Sequence, residues 1–176
     1  MARAGKLDLR AFQQQLASRL AAKTTAQVEQ SRLGLACAGA QWLIRLADAG
    51  EGIAVPSMAS VPLTKPWFLG VANIRGNLYS VIDFGGFLGH AVEPPAPGTN
   101  QVRLVLFGPR AGELHAGLVV QRVLGLRNLA ELVEGQKPND LPQWYGARWT
   151  DREGGVWQEI DLARLAQDPG FLQPGL

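Results

Sequence analysis

Reactive side chains are scarce in this chain. Its one cysteine, Cys37, excludes an internal disulfide and a multi-cysteine metal site, which suits a reducing cytoplasm. The two histidines, His90 and His115, have no carboxylate, thiol or second imidazole at ligand spacing, which argues against a metal site. No Gly-x-Ser-x-Gly elbow occurs, and no serine, histidine and acid can be grouped as a triad. Phosphate loops are missing as well. Gly50-Glu51-Gly52 lacks the third glycine of a dinucleotide fingerprint, and no Gly-Lys-Ser or Gly-Lys-Thr triplet exists. A net charge of +2 is too small to argue for nucleic acid, and Arg75 with Arg148-Trp149 supplies too few interleaved cations and aromatics. Glu131, Glu134 and Asp140 fall in a loop and read as solvated surface. The longest apolar run, Leu33 to Ile44, is interrupted by Gln41 and ended by Arg45, well short of the roughly 18 residues of a membrane span. No apolar signal segment is visible near Met1, so a soluble, non-catalytic protein without cofactor is expected.

What the chain does have is core material. Apolar types make up 47% of its 176 residues, enough for one domain or two small lobes sharing a core. The 21 glycines and 11 prolines suit short strands and frequent turns better than a helical bundle. Charge is unevenly placed. Residues 1 to 25 carry Arg3, Lys6, Arg10, Arg19 and Lys23 against Asp8, a balance of +4 that leaves −2 for the remainder.

Leu9, Phe12, Leu16 and Leu20 recur at helical spacing, which predicts an amphipathic helix over 7–23. Its stripe is expected to pack on its own domain, the alternative being a lipid surface or partner helix. Thr24 to Gln30 lacks periodicity and reads as a connector, so 1–30 forms a helix and linker and 31–176 the domain. From Leu33 the period becomes two. Leu33, Leu35 and Cys37 share one face, Ala38 to Gln41 turns the chain, and Trp42, Ile44 and Leu46 return with Leu43 and Arg45 opposite. Cys37 reads as a small core residue, since nothing basic surrounds it. Ala47 to Val55 reads as a bend presenting Glu51 between two glycines, and 56–66, with three prolines, as an extended connection.

Further on, the Pro-rich stretch His90 to Gln101 predicts a loop, and Val102 to Phe107 a strand covered on both faces. Leu114 to Val120, with His115 facing solvent, and Val123 to Leu126 predict paired strands or one bent strand. Asn128 to Tyr145 is mostly loop, although Trp144 and Tyr145 need cover. Arg148 to Thr150 and Val156 to Ile160 predict a last hairpin. A short helix follows, started by Asp161 and ended by Pro169-Gly170.

The most informative stretch is Trp67 to Gly89. Leu69 to Ile74 and Leu78 to Ile82 predict two strands around Arg75-Gly76-Asn77, with Gly76 and Asn77 as the residues that tolerate positive φ and Arg75 at the tip. After Asp83 a single helical turn ends at Gly89. An apolar β-domain with one rigid, cation-tipped hairpin suits a protein that binds other proteins.

Gly70 to Gly76, then Val81-Ile82-Asp83-Phe84, Phe87-Leu88-Gly89, Ala116-Gly117-Leu118-Val119-Val120 and Val123 to Leu126, resemble the ordered motifs of CheW-like domains. The resemblance covers about residues 33 to 166. Ser80 and Gln121 depart from it, standing where that family commonly has proline and aspartate. The N-terminal helix and the ending Asp161 to Leu172 are most similar to CheW-like adaptors of type IV pilus twitching systems. The resemblance implies a mainly β fold of two small five-stranded SH3-like barrels sharing a core, with an N-terminal helix and a short C-terminal helix. It also implies an adaptor between a chemoreceptor's cytoplasmic tip and the regulatory domain of a CheA-type histidine kinase, cytoplasmic and recruited to membrane-associated receptor arrays. The implied partner-binding set is Arg75, Asn73, Gly76, Glu51 and Ile53, with Glu51 able to pair with Arg75. The competing readings are a flagellar CheW, a small β-barrel enzyme or ligand-binding protein, and a peripheral membrane anchor formed by 7–23.

Overall fold

The computed structural model describes residues 9–92 and 100–176. It opens with helix α1, Leu9–Gln30, which runs through the stretch read as a connector. Nothing in 24–30 breaks a helix, because no glycine or proline occurs there and the Thr24 and Thr25 hydroxyls donate back to the carbonyls of Leu20 and Ala21. The expected docking of its stripe on the domain does not occur: no residue of α1 is buried. Its last turn is held. The Glu29 carboxylate takes the Arg110 guanidinium at 2.8 Å, and Arg32 Nη1 donates to the Glu29 carbonyl at 2.7 Å.

The chain then forms strands β1, Ser31–Cys37, and β2, Ala40–Arg45, joined by Ala38-Gly39 with both residues at positive φ. That two-residue turn is tighter than the four-residue one the sequence suggests. Strand β3, Ala49–Ile53, replaces the expected bend. It pairs antiparallel with β6 through a bulge between Ala49 and Gly52. An edge needs a partner for its backbone groups, and that need outweighs the poor strand propensity of Gly-Glu-Gly. The extended connection leads to β4, Phe68–Ile74, and β5, Asn77–Asp83, followed by α2, Phe84–Phe87. Asp83 caps α2 by accepting from the Gly86 N–H at 2.9 Å. Most of the predicted loop 90–101 lies outside the described residues.

Strand β6, Arg103–Phe107, is buried along nearly its whole length, and a single 3-10 turn at Pro109–Ala111 leads toward β7, Ala116–Val120. His115 sits exposed just before β7 rather than within it, stacked on Tyr79 with 5.0 Å between ring centres. Strand β8, Arg122–Asn128, does not pair with β7; the chain changes sheets at Gln121, and β8 lies along β1. The short β9, Val133–Glu134, precedes the last hairpin, β10, Tyr145–Thr150, and β11, Val156–Ile160. Asp151 organises that hairpin's loop. It accepts from the N–H groups of Glu153 and Gly155 and from the Trp157 indole, and the indole bond foremost holds its carboxyl below the usual carboxylate range. Helix α3, Leu162–Leu165, starts at Asp161 as expected. Pro169 does not end the chain's helical structure but opens a second turn, α4, Pro169–Leu172, where its fixed φ suits a first helical position.

Pairing gives two sheets. One has the order β8-β1-β2-β11-β10-β9 and the other β3-β6-β7-β5-β4, with β2–β11 and β5–β7 parallel. The first therefore carries a two-residue sixth strand beyond the expected five. Strand alternation sorts the apolar residues into three clusters. Leu43, Trp149 and Trp157 fill the first lobe, and Ala72, Ile74, Val81, Leu104, Leu106 and Val119 fill the second. Their strand neighbours Trp42, Ile44, Ile82, Val105, Phe107 and Leu118 point the other way, into one core shared by both sheets. Phe171 of α4 closes that core, with ring centres 5.3 Å from Phe87 and 5.8 Å from Phe107. Trp144 finds its cover here too. Inside the first lobe Arg32 Nε meets Glu159 Oε1 at 2.7 Å, while the Trp149 indole donates to Oε2 at 3.3 Å. A pair so enclosed is tolerable because its polar atoms are satisfied.

Candidate functional site

The β4–β5 connection is a two-residue turn. Ile74 pairs with Asn77, leaving Arg75 and Gly76 at the tip with φ of +52° and +87°. Positive φ thus falls on Arg75 and Gly76, not on Gly76 and Asn77. Two consecutive left-handed residues match the right-handed twist of the flanking strands, which turns of the opposite hand do not. Asn73 Oδ1 accepts from the Gly76 N–H at 2.9 Å and holds the turn from inside.

Arg75 reaches across to β3. Its Nη2 lies 2.7 Å from Glu51 Oε2 and 2.9 Å from Oε1. Strands β3 and β4 are the two opposite edges of their sheet, so this contact spans the seam where the sheet curls round on itself. The backbone closes the same seam nearby, where Ala59 and Val71 exchange N–H···O bonds of 2.8 and 2.9 Å. Gly70, at φ +143°, lies against the Ala59 carbonyl where any Cβ would collide with it. The seam is consequently stiff, and the ion pair sits on its outer side.

The side chains of Arg75 and Glu51 are 72% and 49% exposed, so the pair contributes only ~0–1 kcal/mol to folding. It orients the guanidinium toward Glu51 on β3, at the tip of a turn that Asn73 holds from inside. The structure brings Glu51, Asn73, Arg75 and Gly76 together at one surface. Ile53, two residues from Glu51 on β3, is half-buried and packs against the second lobe's core. Ile74 lies buried beneath the turn. Sequence reading missed Leu78, which is 63% exposed and sits directly opposite Asn73 in the ladder. Its place in an apolar strand run made it look like core.

A polar cavity assembled from His115, Glu51 and Asp83 is not present. His115 borders a surface cleft of about 490 Å³ with Tyr79, Leu114 and Glu113, Glu51 is paired at the seam, and Asp83 caps α2. A second cleft, of about 590 Å³, lies beside Trp42, Tyr145, Arg148 and Gln158. Among the described residues no group of three His, Cys, Asp or Glu side chains could hold a metal ion. Cys37 is buried, and burial foremost, with the Asp83 carboxylate second, pushes its thiol from 9.0 up to about 11. Among the described residues no helix is long and apolar enough to cross a membrane.

Similarity to known proteins follows the same outline. The chain is 32% identical to Protein PilI of Pseudomonas aeruginosa over 113 residues, which cover 64% of this chain and 61% of that protein. The match thus spans about three fifths of the relative's length. The fold matches that of the scaffolding protein TtCheW from Thermoanaerobacter tengcongensis with a TM-score of 0.65, covering 81% of this chain and 95% of that one at 17% identity. The family model for the CheW-like domain matches residues 32–170, which hold both sheets, the seam and the cation-tipped turn, and the chain belongs to the CheW-like domain family.

Proposed function

We propose that this chain is a non-catalytic adaptor that joins the cytoplasmic tip of a chemoreceptor to the regulatory domain of a CheA-type histidine kinase. The observation that carries this reading is the Glu51–Arg75 pair, a cation aimed outward from a left-handed turn across a closed sheet seam. Such a feature costs backbone strain and returns almost nothing to folding, which is the pattern of a recognition element. Asn73 shapes the turn, Gly76 permits it, and Leu78 supplies an apolar contact next to the charge. Likeness to PilI supports twitching by type IV pili, rather than flagellar control, as the output, with recruitment to membrane-associated receptor arrays.

The test separates charge from geometry. Arg75→Glu, Glu51→Arg and the double exchange are titrated against a receptor cytoplasmic hairpin and the kinase regulatory domain from the same cell. All three should keep the thermal midpoint within about 2 °C, since the pair is exposed. Arg75→Glu should lower affinity for at least one partner about tenfold or more, a typical cost of losing a charged interface contact. The double exchange, which restores the pair with its charges swapped, should not recover binding. Unchanged affinity for both partners in Arg75→Glu would sink the role given to this turn.

A further inference from the structure

We infer that α1 is a peripheral membrane-binding helix that lays its apolar stripe on an anionic lipid surface. Leu9, Phe12, Leu16 and Leu20 are 67%, 45%, 43% and 64% exposed, although they recur every three or four residues and so share one face within about 80° of arc. Among the described residues nothing in the domain buries them. The helix is gripped at its last turn, by Arg110, Arg32 and the Ser31 hydroxyl donating to the Gln27 carbonyl, and the stripe lies on the part of α1 away from that grip. At about 1.5 Å per residue, Leu9 is some 30 Å from the anchored end.

Charge selects the occupant. Between Leu9 and Val28 there is no aspartate or glutamate; the exposed Arg19 borders the stripe, and the exposed Lys23 continues its face one turn beyond Leu20. Residues 1–25 carry +4 against −2 for the rest, so the protein's positive charge is concentrated on the segment that bears the uncovered apolar face. Arginine and lysine beside such a stripe can lie along it with their stems and reach outward with their charges, which fits lipid phosphates that have no fixed positions. Apart from Arg10, the remaining circumference up to Thr25 is alanine, glutamine, serine and threonine, which suits water. A second copy of α1 is the poorer occupant. Four apolar residues over three turns fall short of the three to four heptads of a coiled-coil seam, and self-pairing would oppose Arg19 and Lys23 to themselves.

This inference does not depend on the adaptor reading. Its test is co-sedimentation of the full chain with vesicles of phosphatidylcholine alone or mixed with phosphatidylglycerol, at low and high salt. The expected result is pelleting with the mixed vesicles, little with phosphatidylcholine, and loss in high salt. The variant Arg19→Gln/Lys23→Gln should weaken lipid affinity roughly twentyfold, each cation near an anionic surface being worth about fivefold, and Leu16→Gln should weaken it independently. Both variants should keep wild-type circular dichroism and thermal midpoint, because neither changes a buried side chain. No pelleting on anionic vesicles, or equal pelleting on both kinds, would overturn the inference. So would vesicle-independent doubling of mass in light scattering that Leu16→Gln abolishes, which assigns the stripe to a second copy. Capture by an acidic protein without vesicle binding would overturn it as well.

Discussion

Arg75 holds a left-handed backbone conformation, which costs a side chain other than glycine roughly 1–2 kcal/mol. The surrounding residues impose it: the two-residue turn leaves no other way to close, and Asn73 locks the Gly76 amide. That Arg75 stands at the tip was legible from Gly76 and the flanking apolar runs. Which residues carry the positive φ was not, because a shift of one residue in strand pairing moves the strained positions without changing the sequence pattern. Cys37 shows a residue whose environment was read correctly, as a small core side chain, and it makes a prediction. The folded-state thiol, at about 11, is harder to ionise than the ordinary thiol at 9.0. The folded state therefore keeps its advantage below the ordinary value and loses it as pH rises between 9.0 and about 11. Thermal midpoints measured across that range should fall more steeply for the native chain than for Cys37→Ala. Parallel curves would show that Cys37 does not contribute to alkaline unfolding.

Among the elements, α1 and β3 differ most from local expectation, for opposite reasons. Helix α1 is longer than its apolar stripe because residues 24–30 contain no helix breaker and Arg110 and Arg32 hold the last turn. Strand β3 exists in spite of its sequence, since β6 offers an unsatisfied edge and Gly-Glu-Gly can follow a bulge. The helix yields a prediction about stability. Removing residues 1–25 takes away no buried side chain among the described residues and leaves Glu29, Ser31 and Arg32 in place. The shortened chain should melt within about 2 °C of the full one, given that a loss of 1 kcal/mol in a domain of this size moves the midpoint by about 2–4 °C. A drop of 10 °C or more, on the order of 3 kcal/mol, would mean that the stripe packs on the domain in solution.

In the whole molecule, two sheets that each have their own interior are joined by a third cluster to which both contribute. Strands such as β2 and β6, apolar on both faces, lie between a lobe interior and the shared core, as the reading of 102–107 as a strand covered on both faces requires. The lobes are expected to unfold together, because neither can cover its core-facing side without the other. Phe171 tests this from the far end of the chain. It is buried, stacks on Phe107 and meets Phe87 edge-on, so Phe171→Ala should cost about 3–5 kcal/mol and lower the midpoint by about 10 °C. Hydrogen exchange should show β2 and β11 of one sheet losing protection together with β5 and β7 of the other. Separate losses, or two transitions in calorimetry, would show that the lobes are independent.

The sequence by itself determined the helix, most of the strands, the two helical turns started by Asp83 and Asp161, the cation at the hairpin tip and the concentration of positive charge before Ala26. These follow from periodicity, capping and composition, which act over a few residues. Family motifs extended that reach to the pairing of Glu51 with Arg75. The tertiary structure alone decided that β7 and β8 part at Gln121, that β2–β11 and β5–β7 run parallel, that Arg32 meets Glu159 across 127 residues, and that α1 stays uncovered. Backbone hydrogen bonds are the same for every residue type. Local pattern can therefore say that a segment is a strand, but closing the sheet and filling its core decide which strand lies beside it.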